Sequence, residues 1–174
     1  MNIMTLLCLI LAGGKSTRMG EDKALLFDSV NTLTDILTSR DHRVIVACGG
    51  EERSVLFHAE CWFDPEDSTS LGEVVHAFVQ QHDEEIQLFP CDMYNLDKAA
   101  IEAILIQPPG VPVDMNGQEQ YTLARIPQGC NLPTSKSWRH LFSELSRNQM
   151  ESLGARLENF NSPNQIEHQN KSNR

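Results

Sequence analysis

Two apolar runs, each stopping at a pair of glycines, constrain the fold of this chain more than any other feature. Residues 6–11 read LLCLIL and run through Ala12 into Gly13-Gly14. Residues 43–48 read RVIVAC and run into Gly49-Gly50. A strand with one face in water alternates polar and apolar positions. An unbroken apolar run implies cover on both faces, as in a parallel sheet. Residues 61–63 give a short third strand, and residues 86–89 a fourth that stops at Pro90. Between them, Leu71, Val74, Val75, Phe78 and Val79 fall at helical spacing and predict a helix over 71–81. Further helices are expected over 32–38, over 97–106 with Asp97 as its cap, and over 138–145. Two more strands are expected near 111–113 and 121–126.

Strand and helix alternate across short connections. The expected fold class is therefore α/β, a single Rossmann-like domain with a mostly parallel sheet and helices on both faces. The domain is expected over residues 1–167, followed by a polar, frayed tail over 168–174. Ligands in such folds bind beyond the carboxyl ends of the strands. The segments after Leu11 and after Phe89 both fall at that edge.

The chain has 174 residues and a net charge of −10. That balance argues against a nucleic-acid partner, because polymer phosphates need a basic surface. It leaves room for a small anion held by a few local cations. The five cysteines include no C-x-x-C pair. Reduced thiols in a cytoplasmic protein are the plain reading, with neither a disulfide framework nor a zinc site. The run near the start is too short to span a membrane and has no basic residue before it, as a signal peptide would. The six histidines show no metal-ligand spacing. Glu51-Glu52 and 83–85 read as solvated element ends, Trp62 and Trp138 as packing residues.

The segment from Leu11 to Lys23 carries the most chemistry. Gly13 and Gly14 let the backbone bend sharply after a strand and approach a ligand closely. Exposed N–H groups in such a turn can cradle phosphate oxygens. Lys15, Arg18 and Lys23 supply three cations within nine positions. Arg18 offers a bidentate fork and Lys23 a compact point charge. A P-loop is excluded, because its first glycine would fall at Leu9. A G-x-G-x-x-G fingerprint is excluded by the adjacent glycines.

The string L-A-G-G-x-S-x-R-M-G-x-D-K resembles the signature of the molybdenum cofactor guanylyltransferases, within the wider group of nucleotide-diphospho-sugar transferase folds. Pro90-Cys91-Asp92 resembles that family's P-C-D-x-P, with Tyr94 in place of its proline. Asn159-Phe160-Asn161-Ser162-Pro163 resembles its N-x-N-T-P. The resemblance implies transfer of GMP from GTP to molybdopterin, with release of pyrophosphate. It implies Mg²⁺ on Asp92, nucleotide contacts from Leu11, Ala12, Gly13, Gly14, Lys23, Asp64 and Asp92, and acceptor contacts from Asn159 and Asn161. Lys23, Arg18 and Asp92 would be the catalytic residues. Other cofactor-biosynthesis proteins and molybdoenzyme apoproteins are the implied partners. Two departures fall near the nucleobase pocket. Residues 68–73 lack the family's G-P-L-x-G, and Ala47-Cys48-Gly49 lacks its asparagine. A related nucleotidyltransferase with another base or acceptor, such as one that transfers a cytidylyl group to molybdopterin, and a non-catalytic relative that binds nucleotide or cofactor therefore stand beside the guanylyl reading.

Overall fold

The computed structural model describes residues 4–13, 24–150 and 153. In chain order the elements are β1 (Leu7–Leu11), α1 (Ser29–Thr38), β2 (Arg43–Gly49), β3 (Glu60–Phe63), α2 (Leu71–Gln81), β4 (Ile86–Pro90), α3 (Lys98–Leu105), β5 (Val111–Val113), β6 (Arg125–Ile126), α4 (Trp138–Leu141) and β7 (Arg147–Gln149). The main sheet has the order β3-β2-β1-β4-β6. β1 to β4 are mutually parallel, and β6 runs antiparallel to β4. β5 and β7 form a separate parallel pair, joined to β6 by a bridge between Gly110 and Arg125. The fold is thus the expected α/β architecture with a mostly parallel sheet.

The unbroken apolar runs follow from burial on both faces. Cys8, Ile10, Val44 and Val46 point one way, against Val30, Leu33 and Leu37 of α1 and Ile101 and Ile104 of α3. Leu7, Leu9, Ile45 and Leu88 point the other way, against Val75 and Phe78 of α2 and Leu141 of α4. The side-chain period of two splits each strand between two cores. Fully burying each Leu, Ile or Phe contributes about 1.5–3 kcal/mol.

The chain leaves β1 for β2 on one side, and β4 returns on the other. The strand order therefore reverses between β1 and β4, and such switch points open a crevice at the carboxyl edge. The register places Leu11 level with both Ala47 and Pro90.

At the opposite end of β4 a buried polar seam ties β4 to β6 and to the segment after α3. The Gln87 amide donates to the carbonyls of Leu88 and Leu123, both at 2.9 Å. Gln107 donates to the Gln87 side-chain oxygen at 3.2 Å. Arg125, only 4% exposed, donates to the same oxygen at 3.3 Å and to the Gln107 carbonyl at 2.7 Å. Most buried polar groups are hydrogen-bonded; in this seam the Gln107 side-chain oxygen is buried without a partner.

Two expected elements differ. Residues 121–126 form a 3₁₀ turn, Tyr121–Leu123, and only then the two-residue β6. The Leu123 carbonyl is taken by the side-chain amides of Gln87 and Gln107 at 2.9 and 3.1 Å, while the Leu88 amide still donates to the Ala124 carbonyl at 3.0 Å, so the ladder stays short. The helix expected over 138–145 ends at Leu141. Arg147 donates to the carbonyls of Phe142 and Leu145 at 2.9 and 2.7 Å, groups a continuing helix would orient along its axis. Before α1, Phe27 and Asp28 both have positive φ, 55° and 51°. For residues with a side chain this costs roughly 1–2 kcal/mol each.

Candidate functional site

The carboxyl edge gathers residues from four neighbouring strands. β1 delivers Gly13, β2 delivers Gly49, β3 delivers Asp64 and β4 delivers Asp92. The Ala12 amide donates to the Ala47 carbonyl at 2.9 Å, and the Asp64 amide to the Gly49 carbonyl at 2.8 Å. These bonds carry the strand spacing past the strand ends. Gly13 leaves little room for a side chain. A Cβ there would lie 3.0 Å from the Gly49 nitrogen and 3.1 Å from its Cα. The glycine therefore lets two backbones approach where the chain turns off the sheet.

Arg53 holds this floor together. It follows Gly50 in the 3₁₀ turn Glu51–Leu56 and is only 8% exposed. Its Nε donates to the Cys48 carbonyl at 2.8 Å, and one Nη to the Ala12 carbonyl at 2.7 Å. The guanidinium also lies 5.9 Å from the Phe57 ring centroid. One cation thus clamps the ends of β1 and β2 and places positive charge beneath the glycine turn. Sequence reasoning missed Arg53. No motif marks it, and the adjacent Glu51-Glu52 reads as a solvated end, which the structure bears out, since both are exposed.

Asp64 is half-buried, and burial raises its carboxyl above the ordinary aspartate value. Asp92 is half-buried between Cys91 and the buried Met93. The segment around it is pinned without the proline expected at position 94. Ser29 Oγ donates to the Cys91 carbonyl at 3.2 Å, and the Tyr94 ring sits edge-on to Phe27 at 5.4 Å.

The departure over residues 68–73 is a helix cap. Ser70 Oγ accepts from the Glu73 amide at 3.3 Å. The Glu73 carboxylate accepts from the Thr69 amide at 2.6 Å and the Thr69 hydroxyl at 2.9 Å. These bonds hold the Glu73 carboxyl below its usual value and cap α2 in the manner of a capping box, with the carboxylate reaching the amide before the cap residue rather than that of Ser70 itself.

Leu11, Ala12, Gly13, Asp64 and Asp92 therefore come together on one edge. Gly14, Lys15, Arg18, Lys23, Asn159 and Asn161 lie outside the described residues. Among the described residues no group of three or more His, Cys, Asp or Glu side chains could hold a metal by itself. All five cysteines are free thiols. Trp62 packs edge-on against Phe78 and Trp138 lies against Phe142. Among the described residues no helix is long and apolar enough to cross a membrane.

The sequence pattern of the MobA-like NTP transferase domain matches residues 8–126. A crystal structure of a putative protein from Aquifex aeolicus VF5 superposes with a TM-score of 0.69 at 18% identity, covering 90% of this chain and 94% of that one. A homologue of Mycobacterium tuberculosis Rv0371c from Mycobacterium sp. strain JC1 superposes with a TM-score of 0.66 at 16% identity, covering 96% of both chains. The 4-diphosphocytidyl-2C-methyl-D-erythritol synthase of Anaerococcus prevotii superposes at 0.55 and 9% identity, covering 97% of both. At these identities the likeness is one of fold. No curated protein sequence matches the chain.

Proposed function

This chain belongs to the MobA-like NTP transferase domain family, and from that premise we propose that it transfers GMP from GTP to the terminal phosphate of molybdopterin. An acceptor phosphate oxygen forms a bond to the α-phosphorus, and the α–β bridging bond breaks with its electrons leaving on pyrophosphate. The acceptor is already anionic, so no strong general base is needed. Rate enhancement then comes from positioning and charge neutralisation.

The observation that carries this reading is that Gly13, Asp64 and Asp92 each follow the carboxyl end of a parallel strand, with Gly13 and Asp92 on the two strands between which strand order reverses. In this proposal the triphosphate lies along the glycine turn, with Arg18 and Lys23 on its oxygens and Asp64 on the nucleoside side. A single half-buried carboxylate suits Mg²⁺, which takes one or two carboxylates plus substrate phosphates rather than a full protein cage. Asp92 would hold that ion, which supplies charge neutralisation on the phosphates when bound. Asn159 and Asn161 would contact the acceptor.

Pyrophosphate release with Mg²⁺, molybdopterin and each of GTP, CTP and ATP tests the proposal. GTP is expected to support turnover best. Lys23→Ala and Asp92→Ala should each slow release by about 10²–10³-fold, the cost of one key electrostatic contact. Wild-type rates in both variants would remove these assignments. The capping box over 68–73, beside the expected base pocket, favours keeping CTP in the comparison. Preference for CTP would replace the guanylyl reading with the cytidylyl one. Nucleotide binding without pyrophosphate release would point to the non-catalytic relative.

A further inference from the structure

The peptide between Ala12 and Gly13 stands where β1 leaves the sheet, and its bonds fix its orientation. The Ala12 amide donates to the Ala47 carbonyl at 2.9 Å, so it faces β2. In a parallel ladder the carbonyl of a residue faces the same neighbour as its amide. The Ala12 carbonyl does so, accepting from Arg53 at 2.7 Å. The described residues include no cis peptide, and a trans peptide points its N–H opposite to its C=O. The Gly13 N–H is therefore turned away from β2, toward the gap between β1 and β4. Strand order reverses at that gap, and β4 on its far side leads into Asp92.

Continued regularly, the ladder between β1 and β4 would give this amide an acceptor. The Leu7 amide donates to the Glu85 carbonyl at 3.2 Å, and the same offset carries Gly13 to the Cys91 carbonyl. That carbonyl accepts from Ser29 Oγ at 3.2 Å instead. Among the described residues the Gly13 amide has no acceptor. Such a donor is completed by water or by a ligand.

Arg53 holds the peptide in this attitude. Its second prong, on the Cys48 carbonyl at 2.8 Å, fixes the guanidinium against β2. The Ala12 peptide cannot rotate without losing a charge-assisted hydrogen bond. A carbonyl that accepts from a cation also makes the N–H of the same peptide a stronger donor. The guanidinium keeps its charge when buried. A cation behind an outward N–H favours an anion over a neutral acceptor.

We infer that Arg53 is a positioning residue for a phosphate-bearing ligand: by holding the Ala12 carbonyl it presents the Gly13 N–H to a phosphate oxygen in the gap between β1 and β4. Arg53 acts through the peptide and touches no ligand atom. The inference rests on the transfer reading for naming the ligand as a nucleoside triphosphate. The orientation of the peptide does not depend on it.

Calorimetry of the whole protein with guanosine, GMP and GTP in Mg²⁺, and NMR of the ¹⁵N-labelled Gly13 amide, test the inference. In the wild type the Gly13 amide proton is expected to move downfield with GTP and not with guanosine. Arg53→Gln keeps a donor but loses the charge. It should weaken GTP binding by about three- to tenfold, the range of one hydrogen bond, and leave guanosine binding unchanged. Arg53→Lys keeps the charge but reaches at most one carbonyl, and its loss should be smaller. Circular dichroism checks the fold of each variant, and the wild-type NMR result needs neither variant.

An equal loss for guanosine and GTP would mark a purely structural role and overturn the inference. So would wild-type GTP affinity in both variants. Pyrophosphate release by a protein whose Gly13 amide ignores GTP refutes the positioning role alone. A Gly13 amide that responds to GTP through Arg53, in a protein that releases no pyrophosphate with acceptor present, refutes the transfer reading alone. Binding of no phosphate ligand at all overturns both.

Discussion

Arg53 and Asp64 shape the same edge of the sheet through opposite responses to burial. Arg53 offsets its desolvation with two carbonyl acceptors, those of Cys48 and Ala12. Arg53→Met keeps the stem but leaves both carbonyls without their donor. The expected loss is about 2–4 kcal/mol in urea unfolding, since hydrogen bonds to charged groups contribute about 1.5–3 kcal/mol each and part is recovered by relaxation. An unchanged midpoint would mean that the clamp contributes nothing. Asp64 is instead raised by burial. The native state then binds its proton more readily than the unfolded chain does, so Asp64 lowers stability as pH rises through its folded value. Asp64→Asn should therefore be more stable than wild type at neutral pH, and the gap should close as pH falls toward the ordinary aspartate value. Paired unfolding curves at neutral and acid pH check this. A gap that widens in acid would contradict it. Gly13 was legible from sequence as a turn residue, but its reason was not. The Gly49 backbone that excludes a Cβ lies 36 residues away, on another strand.

At the scale of elements, caps and burial decided what could be read. Asp97 accepts from the Ala100 amide at 2.8 Å and starts α3 as the sequence suggests. Asp97→Ala should cost about 1 kcal/mol, as for other N-caps, seen as a lower urea midpoint with an unchanged slope. β1, β2, α2 and β4 were legible because their apolar patterns reflect layers that cover them. The helix expected over 138–145 was over-extended because its apolar residues, Trp138, Leu141, Phe142 and Leu145, keep helical spacing. What stops it is a local turn braced by one residue distant in sequence. Arg147, itself held by Glu119 at 2.7 Å, draws away the Phe142 and Leu145 carbonyls. β7 carries Arg, Asn and Gln and pairs only with the three-residue β5, so it has no apolar signature. The cap over 69–73 is local, built from Thr69, Ser70 and Glu73 alone, and so is legible in the sequence.

For the whole molecule, the two cores set its response to alkali. Cys8 lies fully buried in the middle of β1, and burial pushes its thiol up to about 12. The unfolded chain ionises that thiol near 9. Stability should therefore be intact below pH 9 and decline between pH 9 and about 12, because only the unfolded state sheds the proton there. Cys8→Ala should flatten that decline in pH-dependent urea unfolding, despite its packing cost. The sequence revealed that a parallel sheet would present Gly13 and Asp92 at one edge. It did not reveal the cavity lined by Val30, Leu33, Met93 and Ile101, which exists only through the meeting of α1, α3 and the segment after β4. The polar seam of Gln87, Gln107 and Arg125 lies at the far end of β4 from every residue assigned to chemistry. Register is thus set away from the edge to which the chemistry is assigned. A library randomised at Phe27, Thr32 and Tyr94 should yield mostly folded clones. The same diversity at Gln87 and Arg125 should yield mostly inclusion bodies.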